Sequence, residues 1–433
     1  MLRVRCLAAI STIVLLGSLL DITAVAVDKV RAAGQLATPV LSAGVAKPLE
    51  AAQEAIRKRR WSAALGAITR AQDVPDKTVL DDYDIDELLA YTLYRQNRYA
   101  QAAPVYERLL ASPLMPASQI AERTEAVAEM YFRLGNYPKA VQWARAFLER
   151  HPDGAEMSGM LGDSYFRMND YREAVATLSA AVANVERAKR IPPESWLRII
   201  EDSYYRLNDV QGMKEVLLQI VQYYPRPEDW RQLIDLFSQD VGDDRVALGY
   251  GRLMLDLNVL GRADDYEEMA VDALQAGVPA EALHMLERGE KDGVFAGPDV
   301  VPGRHERLLE IAEERTAANR LALPRLAAKA MAAATGQADL LVGRMYLSYG
   351  KYEQAIDALR SGIDKGGVND IGEAHISLGI AYFEEGRKEL AERAFHAVRR
   401  GSKWSDLAEL WALRVGDGRL VSEGAPLAGN PRS

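Results

Sequence analysis

The sequence is poor in the residues on which most enzymes and metalloproteins depend. It has one cysteine, Cys6, in 433 residues, which excludes a disulfide scaffold and a thiolate metal site. Its five histidines (His151, His284, His305, His375 and His396) are never closer than 21 residues, so none forms a two-histidine metal pair on one helix. A Walker-type phosphate loop and a Gly-x-Ser-x-Gly nucleophile turn are both missing, and Gly249-Tyr250-Gly251 is an isolated GxG with no preceding strand. An excess of positive charge is missing too. The 53 Lys plus Arg stand against 62 Asp plus Glu, a balance unsuited to nucleic acid, and the 48% apolar content is too high for a disordered chain. No enzyme, cofactor or metal site is expected.

Long apolar runs are equally scarce, with one exception at the N-terminus. Arg3 and Arg5 precede an uncharged stretch, Cys6 to Leu20, too short to span a bilayer comfortably, and Ala24-Val25-Ala26 supplies a small-x-small cleavage pattern. Residues 1–26 therefore read as a signal peptide cut after Ala26, which takes the only cysteine with it. The alternative is an uncleaved anchor. A bacterial-looking signal of this kind directs the mature chain to the periplasm, where a lack of thiols avoids mispairing. Residues 27–46 are rich in small residues, Gly and Pro and read as a linker.

From Lys47 onward the chain repeats itself. Tyr131, Gly135, Tyr137 and Ala140 recur 34 residues later as Tyr165, Asn169, Tyr171 and Ala174. Pro193-Glu194-Ser195-Trp196 recurs at the same interval as Pro227-Glu228-Asp229-Trp230. That interval is the period of the tetratricopeptide repeat (TPR), a helix-turn-helix unit. Small residues in the first helix (Gly162, Gly343, Gly379) and Ala in the second (Ala102, Ala140, Ala174, Ala355, Ala391) let the two helices approach closely. Asn97, Gly135, Asn169, Asn208, Gly350 and Gly386 stand where the turn needs a left-handed residue. The expected fold is all-α, a TPR-type α-solenoid: about nine or ten helix pairs in one right-handed superhelix. The repeats fall into a first array at 47–288, a loop at 289–303, a second array at 304–412 and a flexible tail at 413–433. Residues 304–332 show two helical patterns with poor consensus.

In such arrays the first helix of each pair carries the exposed positions at which a partner lies. Four successive units place an aromatic residue followed by Arg there: Tyr94-Arg95, Phe132-Arg133, Phe166-Arg167 and Tyr205-Arg206. An acid stands four residues earlier in three of them, giving Glu129/Arg133, Asp163/Arg167 and Asp202/Arg206. One reading is a ladder of rings and guanidiniums that docks an extended, carboxylate-bearing peptide. The other is inter-repeat packing with ordinary i to i+4 helix pairs. The acidic run Asp81 to Glu87 lacks the Gly (Glu87 instead) and the bidentate acid (Leu93 instead) of an EF-hand, so it reads as a solvated helix start.

Beyond the repeat, several segments resemble exported bacterial TPR proteins encoded with TonB, ExbB and ExbD components. They are Glu194-Ser195-Trp196-Leu197-Arg198-Ile199-Ile200, Tyr223 to Trp230, Leu283 to Gly289, Lys365-Gly366-Gly367 and Leu378 to Tyr382. The likeness runs from about residue 48 to 412 and is weakest at the longer 289–303 loop and the 304–332 unit. It implies a periplasmic, non-enzymatic adaptor in TonB-dependent energy transduction or outer-membrane uptake, with protein partners in the cell envelope, no nucleic acid and no membrane span after cleavage. An envelope-assembly or polysaccharide-export scaffold is the alternative. A helical-repeat envelope enzyme would need an appended catalytic domain, for which the roughly 20 residues after the last helix are too few.

Overall fold

The computed structural model describes residues 40–239, 241–296 and 303–423. The expected signal peptide, residues 27–39 of the linker and the last ten residues lie outside them, and the linker ends earlier than expected, because residues 43–46 already belong to the first helix. The described residues form twenty α-helices and no strand, and they pack as two compact units that divide between Asp209 and Val210. Nine helices belong to the first unit: α1 (Ala43–Arg57), α2 (Trp61–Gln72), α3 (Val79–Arg95), α4 (Tyr99–Ala111), α5 (Ile120–Arg133), α6 (Tyr137–Leu148), α7 (Ala155–Arg167), α8 (Tyr171–Arg187) and α9 (Glu194–Leu207). The second unit has α10 (Val210–Tyr223), α11 (Pro227–Ser238), α12 (Asp244–Asp256), α13 (Ala263–Gln275), α14 (Pro279–Asp292), α15 (Arg304–Ala332), α16 (Gln337–Ser348), α17 (Tyr352–Lys365), α18 (Ile371–Glu384), α19 (Lys388–His396) and α20 (Ser405–Glu423).

The turn and packing residues do what the repeat requires of them. All six turn residues singled out in the sequence have positive φ, from 54° at Asn208 to 76° at Gly386. Each ends a first helix in the conformation that Gly and Asn adopt at least cost. The five second-helix alanines are fully buried. A Cβ placed on Gly162, Gly343 or Gly379 would overlap Leu178, Leu359 or Phe395 of the paired helix, so the missing side chain is what sets the helix spacing. Leu93, Tyr106, Leu109, Val127, Met130 and Tyr131, drawn from α3, α4 and α5, share one apolar cluster. The core thus continues from one hairpin into the next, and each such side chain contributes about 1.5–3 kcal/mol by leaving water.

In the second unit the last helix returns to the early ones. Gly249 of α12 lies against Leu407 of α20, and Gly251 lies against Met269 of α13, so both glycines of the isolated GxG are close-packing positions inside a helix. Arg414 donates to Asp256 (2.7 Å), and Lys403 bridges Asp243 (2.6 Å) and Asp370 (2.9 Å).

Three sequence expectations are corrected. Residues 304–332 are one 29-residue helix rather than two. The segment is dominated by the strong helix formers Ala, Leu, Arg and Glu, and Asn319, its one residue of the turn type, stays within the helix; Pro324 removes a single hydrogen bond without ending it. The tail at 413–433 begins as helix, since α20 runs to Glu423. The helix start at Asp81 is not solvated. Asp81 is fully buried, forms a capping box with Thr78 and accepts from Ser42 N (2.9 Å) and Ser42 Oγ (2.6 Å). Burial alone would raise its carboxyl, but the Ser42 and Thr78 donors hold it at about 2.

Candidate protein-binding surface

The aromatic and arginine positions of the first unit sit at the C-terminal ends of α3, α5, α7 and α9. Tyr94, Phe132 and Phe166 are half-buried. Each meets the tyrosine that opens the following helix: Tyr94 with Tyr99 at 5.8 Å between ring centroids, Phe132 with Tyr137 at 5.8 Å and Phe166 with Tyr171 at 5.7 Å. The spacing is five residues in every case, and it places two tilted rings across the turn in the offset geometry aromatic pairs prefer. Tyr205 breaks the series. The residue five positions on is Val210, and Tyr205 remains 65% exposed.

The guanidiniums behave differently from the rings. Arg95, Arg133, Arg167 and Arg206 are all exposed. Arg133 pairs with Glu129 (Nε to Oε1, 3.0 Å) and Arg167 with Asp163 (2.9 Å), as the i to i+4 spacing predicts. The hydrogen bond to Glu129 raises the Arg133 pKa further. Asp202 and Arg206 form no such pair among the described residues; both lie on the exposed side of α9. Arg133 also stands over the Tyr99 ring of the preceding hairpin at 5.7 Å, and Arg95 over Tyr91 at 5.9 Å. The rings therefore serve packing, while the arginines form an exposed row, two of them held in place by an acid. Such a row can bind carboxylates or carbonyl oxygens of an extended chain in the planar manner peculiar to Arg.

Two polar groupings escaped the sequence reading. On the first unit, Lys139 donates to Glu107 (2.9 Å) and to the Tyr131 hydroxyl (2.8 Å), and Trp143 Nε1 donates to Glu107 (3.1 Å). The signal that could have found it is an acid and a base about one repeat apart. In the second unit Arg252 grips Glu281 with two bonds, Nη2 to Oε2 at 2.7 Å being the longer, and Glu373 accepts from Arg245 (2.8 Å) and from Arg344. Arg245, Arg252, Arg344, Glu373 and Trp404 wall a cavity of about 10 Å³, and Arg344 Nε has no protein partner. That volume holds one water and no substrate. Arg245 and Glu373 of its wall are 128 positions apart, too far for any local pattern to reveal.

No group of His, Cys, Asp or Glu among the described residues is arranged to hold a metal ion, and no described helix is long and apolar enough to cross a membrane.

Against known proteins, residues 49–117, 87–155, 160–197 and 340–403 match the tetratricopeptide repeat family model. No curated protein matches the chain. Among solved structures, a tetratricopeptide repeat protein from Parabacteroides merdae is similar at 14% identity, with 78% of this chain and 99% of that chain covered and a TM-score of 0.32. The apo form of RapI is similar at 12% identity, with 73% and 84% covered and a TM-score of 0.32. The TPR2AB domain of yeast Sti1, solved with pHSP90, is similar at 11% identity, with 69% and 99% covered and a TM-score of 0.24.

Proposed function

We propose that this tetratricopeptide-repeat chain is an exported, periplasmic adaptor that docks a protein partner on the arginine row of its first unit, in the service of TonB-dependent energy transduction or uptake at the outer membrane. The stacked helical pairs make it a protein-interaction scaffold. The observation that carries the docking face is the exposure of Arg95, Arg133, Arg167 and Arg206 beside aromatic residues, three of which are fixed by packing. A partner meeting this face finds two of the four guanidiniums, Arg133 and Arg167, already held in place, which lowers the side-chain entropy lost on binding. Support for the compartment is the Arg3, Arg5 and Ala24-Val25-Ala26 signal pattern; support for the TonB setting is the resemblance carried by the segments at 194–200 and 223–230.

The test is crosslinking in intact envelopes followed by capture of the chain. Replacing Arg133, Arg167 and Arg206 together with Ala is expected to abolish capture of the partner while leaving helicity unchanged. Replacing the three with Lys keeps the charge and should restore only part of it, because a lysine cannot form the planar two-bond contact. Undiminished capture by the Ala variant overturns the docking face. Recovery of ExbB-, ExbD- or TonB-type components supports the energy-transduction setting, whereas recovery of polysaccharide-export machinery points to envelope assembly. The mature N-terminus is expected at Val27, and a membrane-bound chain beginning at Met1 would establish an anchor instead.

A further inference from the structure

Helix α15 (Arg304–Ala332) stands where the array would otherwise place a hairpin, and it has a face with no cover. Its N-terminal half packs Leu308, Leu309 and Ala312 with residues of α13 and α14, and its C-terminal half packs Leu323, Leu326 and Ala330 with residues of α16. Between these halves the inward side makes polar contacts: Asn319 donates to the Gly277 carbonyl (3.4 Å) and Tyr349 to the Thr316 carbonyl (3.3 Å). Opposite that side Leu321 is 85% exposed; it and Met331, 80% exposed and about 80° away round the helix, are the two most exposed large apolar side chains among the described residues. With 3.6 residues per turn, Leu321 shares its face with Glu314, Ala317, Ala318, Arg325 and Ala328, all exposed.

The charges on this face, together with Lys329 at its flank, are self-complementary. Glu310 and Glu314 are like charges one turn apart near one end, and Arg325 and Lys329 are like charges one turn apart near the other. Each pair repels along the helix, and none of the four forms an ion pair among the described residues. A second α15 laid antiparallel about the Asn319–Arg320 bond sets Glu310 opposite Lys329, Glu314 opposite Arg325 and Leu321 opposite Ala318. The repulsive pairs then meet opposite charge on the partner, and Leu321 enters the hollow left by Ala317 and Ala318. A two-fold contact of this kind is isologous and closes at two chains.

We propose that two copies of this chain associate through the exposed face of α15, antiparallel, with Leu321 at the centre and the Glu310/Glu314 and Arg325/Lys329 pairs as its specificity code. This goes beyond the docking of a partner on the first unit and does not depend on it.

Sedimentation of the full chain, processed as its cell processes it, tests the proposal. The wild-type chain is expected to show a concentration-dependent monomer–dimer equilibrium. Two charge-reversed variants, E310K/E314K and R325E/K329E, are each expected to dimerise at least about tenfold more weakly, because each puts like charges on both ends of the seam. Mixed together they are expected to form a heterodimer, since the new lysines of one face the new glutamates of the other, and the fourfold variant should recover self-association. L321D should lose it with unchanged helicity. A wild-type chain that stays monomeric at every concentration overturns the proposal. So does a dimer indifferent to all these variants, which would place self-association on another surface, and so does a mixture of folded variants that fails to pair.

Discussion

The two units build the same kind of helix stack by different means. In the first, the ion pairs that join different helices (Arg108–Asp86, Arg123–Glu87, Lys139–Glu107) span 22 to 36 positions, so each ties a hairpin to itself or to its neighbour. In the second, pairs of the same short range, such as Arg231–Asp265 and Arg252–Glu281 at 34 and 29 positions, are joined by Arg245–Glu373, Arg414–Asp256 and Lys403–Asp243, which span 128, 158 and 160. A stack held by neighbours alone behaves as a sum of repeats, and a lesion in one hairpin is felt mainly there. A stack whose last helix is clamped to its early ones must open as a whole. Within the second unit the consensus is weak only from α10 to α15, while residues 340–403 match the repeat model, and the long-range pairs tie α12 of that weak stretch to the regular end of the unit.

The largest effect is expected from a buried pair that spans only 29 positions but whose arginine shares a cavity wall with the long-range Arg245–Glu373 clamp. Arg252 and Glu281 side chains are 13% and 10% exposed, and Glu281→Ala leaves the guanidinium buried with its principal partner gone. The expected cost is about 3–5 kcal/mol, since an uncompensated buried charge is far more harmful than a missing pair. Urea unfolding followed at Trp230, Trp404 and Trp411 should register it across the second unit, with Trp61, Trp143 and Trp196 unaffected. Replacing both partners with Leu should recover most of the loss, because a well-packed apolar pair serves as well as a buried ion pair. A loss under about 1 kcal/mol for Glu281→Ala would show that water reaches the site and that the clamp is ornamental.

A smaller lesion compares how far damage travels. Gly162→Ala drives a Cβ into Leu178, costing about 1–3 kcal/mol in overpacking, against about 1 kcal/mol gained in helix propensity, for a net loss of about 1 kcal/mol. Gly249→Ala does the same against Leu407. Hydrogen exchange should rise in α7 and α8 alone for the first and throughout the second unit for the second. Equal spread in both would abolish the distinction.

The same division explains what the sequence could disclose. The 34-residue echo, the six left-handed turn residues and the glycines facing Leu178, Leu359 and Phe395 are local, so period and residue type reveal them. Arg59 (φ 52°) and Lys189 (φ 54°) are exposed and take the same conformation without Gly or Asn, where the backbone hydrogen bonds that close the helix end, Arg60 N to the Ala55 carbonyl and Arg190 N to the Val185 carbonyl, set the turn. The continuity of α15 was hidden because a poor consensus cannot distinguish a broken hairpin from one long helix. Of the candidate site, the sequence located the arginines and two of three acid pairs. It could not decide that the rings turn inward onto Tyr99, Tyr137 and Tyr171, because the partner ring lies across a turn. The clamps of the second unit were out of reach, since nothing near Arg245 announces Glu373.

The smallest effect concerns mild acid, where the two units should behave alike. Burial, reinforced by the charges of Glu87 and Asp81, pushes the Asp84 carboxyl of the first unit up to about 6. Burial, with Asp244 and Glu268, does the same for Asp272 of the second. An unfolded aspartate titrates near 4, so each folded unit holds a proton that the unfolded chain releases between about pH 4 and 6. The stabilisation is complete below pH 4 and is lost as pH rises through 6. Because both carboxyls are only partly buried, the gain from pH 7 to 5 is expected to stay below about 1 kcal/mol for each. Asp84→Asn and Asp272→Asn should each be slightly stabilising at pH 7, neutral at pH 4.5, and should flatten the slope of its own unit. Below pH 4 the sign reverses and the units part. Asp81 in the first, and Asp243 and Asp265 in the second, are held at about 2 by donors that outweigh the cost of burial, so their stabilisation is present above pH 4 and disappears as pH falls towards 2. The second unit, with two such carboxylates joined to Lys403 and Arg231, should therefore unfold in acid before the first. Acid titration at the two sets of tryptophans decides it, and a first unit that melts earlier would mean that the clamps do not govern the stability of the second.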